Sequence, residues 1–397
     1  MSRTSLIVFC GLLLASNAFS TDVLLPAIFS MERAFAVSIE HVQIAIPLFI
    51  FASAFGQLIY GSASDRFGRK SVLLAGLGVY TGAALVALLA DSILVVLVAR
   101  AFQGLGSASG IVIGRAILRD THAGPELAKT MALAMAMISF GPILAPLAGT
   151  GLVAVGGWRM PFAAMMLFGC TMAAIAIFKL DETNRALRPD AFDLAQLKLA
   201  TRRVLGHPQS RFFLALAAVL SFTIISFIAH APRFFKAAFG WEGLAFALAF
   251  GAMGTGIILG QFVNSFAIGR IGVLRTSKAA LLIQTIACGL MALLAATDTL
   301  HPVAFGALMF VYNCCFLSVM ANAASLTLDP HPDIAGLASS LFGFFTQLLP
   351  AALTLATLAV IGGEVTRWSA AVTVIAAGLL IALLRYRPSL RVRVAVL

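Results

Sequence analysis

At 397 residues, with 61% hydrophobic side chains, only 11% charged ones and a formal net charge of +11, the chain is too apolar for a water-soluble globule, since soluble domains carry about 25% charged residues. The positive balance does not mark a nucleic-acid binder either, because the cations sit in short stretches between apolar runs, where they act as topology signals. What remains is a polytopic membrane protein.

Taken in order, apolar runs long enough to cross a bilayer as a helix of about 20 residues fall at 6–29, 42–60, 71–90, 93–113, 127–155, 160–178, 212–231, 244–268, 277–296, 302–328, 334–361 and 369–384. The first of them imitates a secretory leader, with Arg3 ahead of an apolar core and small residues at 15–18. Val23 to Phe29 continue the run without turning polar, so it reads as a retained span with Asp22 inside it. Cys10, Cys170, Cys288, Cys314 and Cys315 all lie within apolar runs and lack metal-ligand spacing, which predicts free thiols and no metal site.

Placing both termini in the cytoplasm leaves outside only Arg33, Arg159, Arg233, Lys236 and Arg367 of the 27 lysines and arginines, with Arg100 inside a span. That asymmetry sets an even number of crossings with both ends inside. Residues 181–210 form the one long polar stretch and divide the runs six and six, predicting a half at 1–180, a cytoplasmic linker and a half at 211–397. An internal repeat supports the division. Gly56-Gln57 recurs as Gly260-Gln261, and Arg66-Phe67-Gly68 as Arg270-Ile271-Gly272, at one common offset. Two repeated six-helix halves with a site between them near the midplane form a transporter architecture.

Four motifs carry a resemblance. Gly61-Ser62-Ala63-Ser64-Asp65-Arg66-Phe67-Gly68-Arg69-Lys70 resembles the loop signature G-x-x-x-D-R-x-G-R-K of the major facilitator superfamily. Thr21-Asp22-Val23-Leu24-Leu25-Pro26-Ala27, Arg100-Ala101-Phe102-Gln103-Gly104-Leu105-Gly106-Ser107-Ala108, and Ala335-Gly336-Leu337-Ala338-Ser339-Ser340-Leu341 with Gln347 are similar to motifs of its Bcr/CflA drug-resistance branch. The exporter motif G-x-x-x-G-P-x-x-G-G is only partly kept, because Met137 and Ala145-Pro146 replace three of its positions.

The resemblance implies an all-α membrane protein with the major facilitator fold, twelve transmembrane helices in two halves. It implies no enzyme and no cofactor, but a monomeric antiporter that exports small amphiphilic drugs or antibiotics of chloramphenicol or bicyclomycin type by alternating access, driven by the proton gradient. An exporter of a metabolite such as a siderophore or sugar is the alternative. The expected partners are a small-molecule substrate, protons and the lipid bilayer, with no nucleic acid. No phosphate-binding G-x-x-x-x-G-K-[ST] loop occurs in the chain.

Asp22 and Arg100 are the candidate proton-coupling pair. Each lies seven residues from the outer end of its expected span, so at about 1.5 Å per residue both reach roughly 10 Å below the surface. Intramembrane charges face a cavity or each other, which leaves a static buried ion pair or a proton switch. Burial and a neighbouring cation pull such a carboxyl's protonation in opposite directions. Gln103 and Ser107 follow Arg100 at helical spacing, and Gln57 and Asn313 are polar within spans; with Asp22 and Arg100 they are the candidate substrate-cavity residues. Gly61, Asp65, Arg66, Gly68 and Arg69 form the candidate conformational latch, whose aspartate, by the resemblance, braces the N-terminus of the eleventh span. Gly141, Pro142, Pro146 and Gly149 in the fifth span, and Gly256 and Gly260 in the eighth, read as helix-packing positions that meet one another. His230, beside Pro232 and Arg233, reads as an interfacial histidine.

Overall fold

A computed structural model describes residues 1–184, 187 and 194–387. Its regular structure is helical throughout the described residues, as lipid demands of a chain whose backbone groups must bond within their own segment. The first half holds α1 (Arg3–Asp22), α2 (Ile28–Phe35), α3 (Ile39–Gln43), α4 (Ala45–Phe67), α5 (Arg69–Leu88), α6 (Ile93–Thr121), α7 (Gly124–Ser139), α8 (Gly141–Gly156) and α9 (Met160–Lys179). A connecting α10 (Leu194–Gly206) leads into α11 (Pro208–Phe239), α12 (Gly243–Ile271), α13 (Val273–Ala296), α14 (Pro302–Leu328), α15 (Ala335–Ile361) and α16 (Val365–Arg385). With α7 and α8 read as one broken span, these helices make the twelve expected crossings.

The structure adds detail at three places. The first span is not one helix: α1 stops at Asp22, and a 3-10 turn, Leu25–Ala27, precedes α2. Pro26 is the cause, since it lacks the backbone donor that would bond the Asp22 carbonyl and continue the α-helix. The fifth span breaks in the same way at Phe140, two residues before Pro142. The linker is partly structured, because α10 lays Ala200 and Val204 against Leu214 of α11 and Ala338 and Leu341 of α15. Arg185, Arg188, Asp190, Arg391 and Arg393 lie outside the described residues.

The internal repeat has a backbone counterpart. Gly68 joins α4 to α5 at φ 91 and ψ 153, and Gly272 joins α12 to α13 at φ 79 and ψ 162. Only glycine adopts that left-handed region without strain, so the repeated motif ends in the same turn twice.

Close helix approach sets the packing inside the first half. At Gly104 of α6 an added Cβ would lie within 3.0 Å of the Phe49 backbone in α4, and backbone cannot step aside as a side chain can. Gly104→Ala is therefore expected to cost about 1–3 kcal/mol, read as a lowered melting temperature of the detergent-solubilised protein. An unchanged melting temperature would show that α4 and α6 can separate freely.

The halves meet along two helix pairs, α4 with α15 and α8 with α12. At the end opposite the 61–70 loop, here the far end, one apolar cluster runs across both halves, joining Leu25, Ile28 and Ile46 to Phe234, Phe246 and Phe250. Charges reinforce it. Arg233 of α11 pairs with Glu40 of α3, Lys236 binds Glu242 at 2.9 Å, Glu242 lies 4.0 Å from Arg33 of α2, and the Lys236 ammonium stands 4.6 Å over the Phe29 ring. Toward the loop end the main clusters of the two halves are separate, so the seam is closed hardest at the far end.

Candidate functional site

A cavity of about 50 Å³ lies on the seam between α1, α8, α11, α12 and α14. Its walls are Pro142, Phe227, Phe250, Met253 and neighbouring aliphatic residues, and two polar side chains enter it, Asp22 and Asn313. The break after α1 puts Asp22 there: as the helix's last residue it sits where the chain turns toward the second half. It is 3% exposed, and its carboxylate accepts one bond, from the Thr21 hydroxyl at 3.1 Å. Among the described residues it has no cationic partner.

Arg100 is elsewhere. It is fully buried inside the first half, where Nε donates to the Ala45 carbonyl at 3.2 Å and Nη1 to Gln103 Oε1 at 2.6 Å. The Phe49 ring lies 4.1 Å from the guanidinium carbon, a favourable cation–π contact. Nη2 is buried without a hydrogen-bond partner among the described residues. The static Asp22–Arg100 ion pair is thus not made here, because equal depth along two helices does not fix the direction in which each side chain points.

The remaining expected cavity residues divide. Asn313 lines the cavity. Gln103 binds Arg100 and, through Nε2, the Met165 sulfur at 3.2 Å; Ser107 donates to the Gly104 carbonyl at 2.9 Å. Both belong to the interior of the first half. Gln57 packs on Gly343 of α15, on the seam but among none of the cavity walls. Sequence reasoning missed Tyr80, whose hydroxyl shares a 2.7 Å hydrogen bond with Ser20 two residues before Asp22, and it missed the parallel rings of Phe227 and Phe250, 5.9 Å apart. A tyrosine inside an apolar run was the available signal for the first; nothing separates two of the 31 phenylalanines from the other 29.

The loop residues are tied within their own half. Arg69 Nη1 pairs with Asp65, and its Nε with Asp120 at the end of α6 at 2.9 Å. Glu182 accepts the Arg69 and Lys70 backbone N–H groups at 2.8 and 3.1 Å, capping α5. Asn184 donates to the Ser64 and Asp65 carbonyls at the end of α4. Gly68 leaves room for the Glu182 carboxylate, and Arg66 is exposed, lying over the Phe67 ring. Asp65 does not brace the N-terminus of α15 here. The first half reaches that helix through Arg119, close to Gly336, and Gly61, close to Ser340.

The packing residues also need revision. Gly141 faces Ala18, and Gly149 faces the Val23 backbone; Pro142 starts α8 and Pro146 lies inside it. Gly256 and Gly260 do not meet α8 but press on the backbone of Phe310 and Cys314 in α14. Gly251 and Gly254, on another side of α12, face Ile143 and Pro142 instead. His230 is fully buried rather than interfacial, its Nδ1 at 2.8 Å from the Ser226 carbonyl, because α11 runs on for two turns past the expected end of its span, to Phe239.

A family model described as Major Facilitator Superfamily matches residues 10–354. The chain is 28% identical over 341 residues to a bicyclomycin resistance protein homolog of Haemophilus influenzae, covering 85% of this chain and 84% of that one. It is 27% identical over 367 residues to multidrug resistance protein MdtL of Klebsiella pneumoniae, covering 91% and 90%. The fold is similar to the crystal structure of a D-xylose–proton symporter, with a TM-score of 0.82 over 98% of both chains at 14% identity. At that identity the likeness is one of fold.

Proposed function

The chain belongs to the Major Facilitator Superfamily, and from that premise we propose that it exports small amphiphilic drugs or antibiotics across the bacterial inner membrane in exchange for protons. The observation that carries this reading is the placement of Asp22: a buried carboxyl without a counter-ion, held by one hydroxyl, in the wall of the cavity between the halves. A carboxyl in such surroundings changes its protonation with small changes in hydration or in nearby charge, and intramembrane acids of this kind mark proton and substrate paths. Rocking of the halves about α4–α15 and α8–α12 exposes the cavity first to one side and then to the other. With the 61–70 loop on the cytoplasmic side, both termini are cytoplasmic and the far end faces outward. Relatives named for bicyclomycin and multidrug resistance support the drug class.

Inverted membrane vesicles energised by respiration test the reading. A panel of amphenicols, other antibiotics, lipophilic cations, siderophores and sugars is added in turn while the pH gradient is followed. Exported drugs are expected to collapse the gradient in vesicles containing the protein and not in vesicles lacking it. A response confined to siderophores or sugars would transfer the function to metabolite export, and no response from a protein that binds ligand would end the antiport reading.

A further inference from the structure

Asn313 is the second polar group of the cavity, and its amide has a determined orientation. Nδ2 donates to the Met253 carbonyl at 3.0 Å. A backbone carbonyl only accepts, so the nitrogen must be the atom facing it and Oδ1 must be the atom left over. Oδ1 is buried and, among the described residues, has no hydrogen-bond partner, in a residue 4% exposed. Its orphaned state is costly, because a desolvated acceptor forfeits the bonds it made with water. The rest of the wall cannot satisfy it: Phe227, Phe250, Ile224, Ile228 and Pro142 bring no donor. Asp22, when ionised, is also an acceptor. With Asp22 ionised, the cavity therefore presents acceptors and aromatic faces, and no side-chain donor, to whatever enters it.

We infer that Asn313 is a specificity residue of this cavity: its bare Oδ1 selects a cargo that brings an N–H or O–H donor on an apolar, aromatic body, and disfavours one that lacks a donor or carries an anion. This rests on the reading of the cavity as the cargo site. The parallel Phe227 and Phe250 rings provide the flat apolar surface. A carboxylate or phosphate would set a negative charge beside Oδ1 and ionised Asp22, with no cation on the wall to offset it. Donor-free molecules would bury Oδ1 unpaired a second time. Neutral or cationic donors repair it, and ionised Asp22 gives the same molecule a second bond.

The test is equilibrium binding to the full chain in lipid nanodiscs, at alkaline pH and without a proton gradient, followed by dye anisotropy. The probes are two cationic fluorescent dyes, the rhodamine methyl ester with free amino groups and its N-tetramethylated counterpart, which share ring system and charge; four methyl groups replace the N–H donors in the second, so the effect of donors is read from how the Asn313 variants change the ratio. The wild type is expected to bind the amino dye about tenfold more tightly, a typical effect of one matched hydrogen bond in a dry site. Asn313→Leu is expected to bring the ratio near one by weakening the amino dye. Asn313→Thr, whose hydroxyl can turn to a carbonyl of its own helix, is the second variant should Leu not fold, with the same loss expected. Equal binding of both dyes by the wild type, binding of neither, or a preference unchanged in the folded variants would overturn the inference. Donor selectivity without proton-coupled export would leave it standing and remove the export reading; export without donor selectivity would do the reverse.

Discussion

Asp22→Asn is expected to reduce drug-dependent proton movement in inverted vesicles to the level of vesicles lacking the protein. Asparagine keeps the size of the side chain and an oxygen for the Thr21 hydroxyl, now 3.1 Å from the carboxylate, so the end of α1 has no steric reason to move. What it removes is the ability to take and release a proton. Folding is expected to survive, because a neutral amide in an apolar wall costs less to bury than a carboxylate. Equilibrium drug binding is expected to persist and to lose its dependence on pH, since the variant is fixed in a form like the protonated acid. The decisive comparison is therefore transport against binding in the same preparation. A variant that binds drug and still moves protons at the wild-type rate would remove Asp22 from the coupling step and direct attention to His230, another buried titratable side chain, on α11.

The second large effect concerns the far end of the seam. A short bifunctional thiol reagent joining Glu40→Cys to Arg233→Cys, in a background without the five native cysteines, is expected to arrest export completely, and a cleavable version is expected to restore it on reduction. The two side chains already touch across the halves, and no outward-open state can form while they are tied. Breaking the ion pair alone is a smaller matter. Glu40 and Arg233 are about a third exposed, and pairs screened by water contribute only about 0.5–1 kcal/mol. Glu40→Gln should thus alter the rate of outward opening modestly. Export that continues in the fully crosslinked protein would mean that the far end does not open during transport. The charge distribution makes this region worth the experiment: Arg33, Arg233 and Lys236, three of the five cations assigned outside, all act at contacts between α2 or α3 and α11 or the turn after it.

The apolar runs made the twelve crossings legible, because lipid leaves a chain one way to bond its backbone and that way has a fixed length. The two halves were legible through Gly68 and Gly272, whose shared turn needs a residue without Cβ. Asp22 and Asn313 could be singled out as polar groups in spans, and the cavity holds both. Their geometry could not be read. A run of hydrophobic residues looks the same whether or not it breaks at Pro26, and the break decides that Asp22 faces the second half while Arg100 turns into the first. The helix at 194–206 was hidden for the converse reason: its polar residues read as a linker, whereas Ala200 and Val204 pack against the bundle. Gly256 and Gly260 had the right spacing for packing, but spacing does not name the partner helix.

The bonds of Glu182 and Asn184 to the 61–70 loop bear on how the protein is made. The ring that holds Asp65, Arg69 and the start of α5 is completed by residues that follow α9, the last crossing of the first half. During synthesis that ring stays open while the four further crossings of the first half are made, and it closes once residue 184 has left the ribosome, before α12 exists. The first half can thus fasten itself as a finished unit while most of its partner is still untranslated, as domains made in sequence commonly do. A ribosome stalled with residue 184 just outside the exit tunnel should carry a half whose loop already resists protease, and one stalled with Glu182 still inside the tunnel should not.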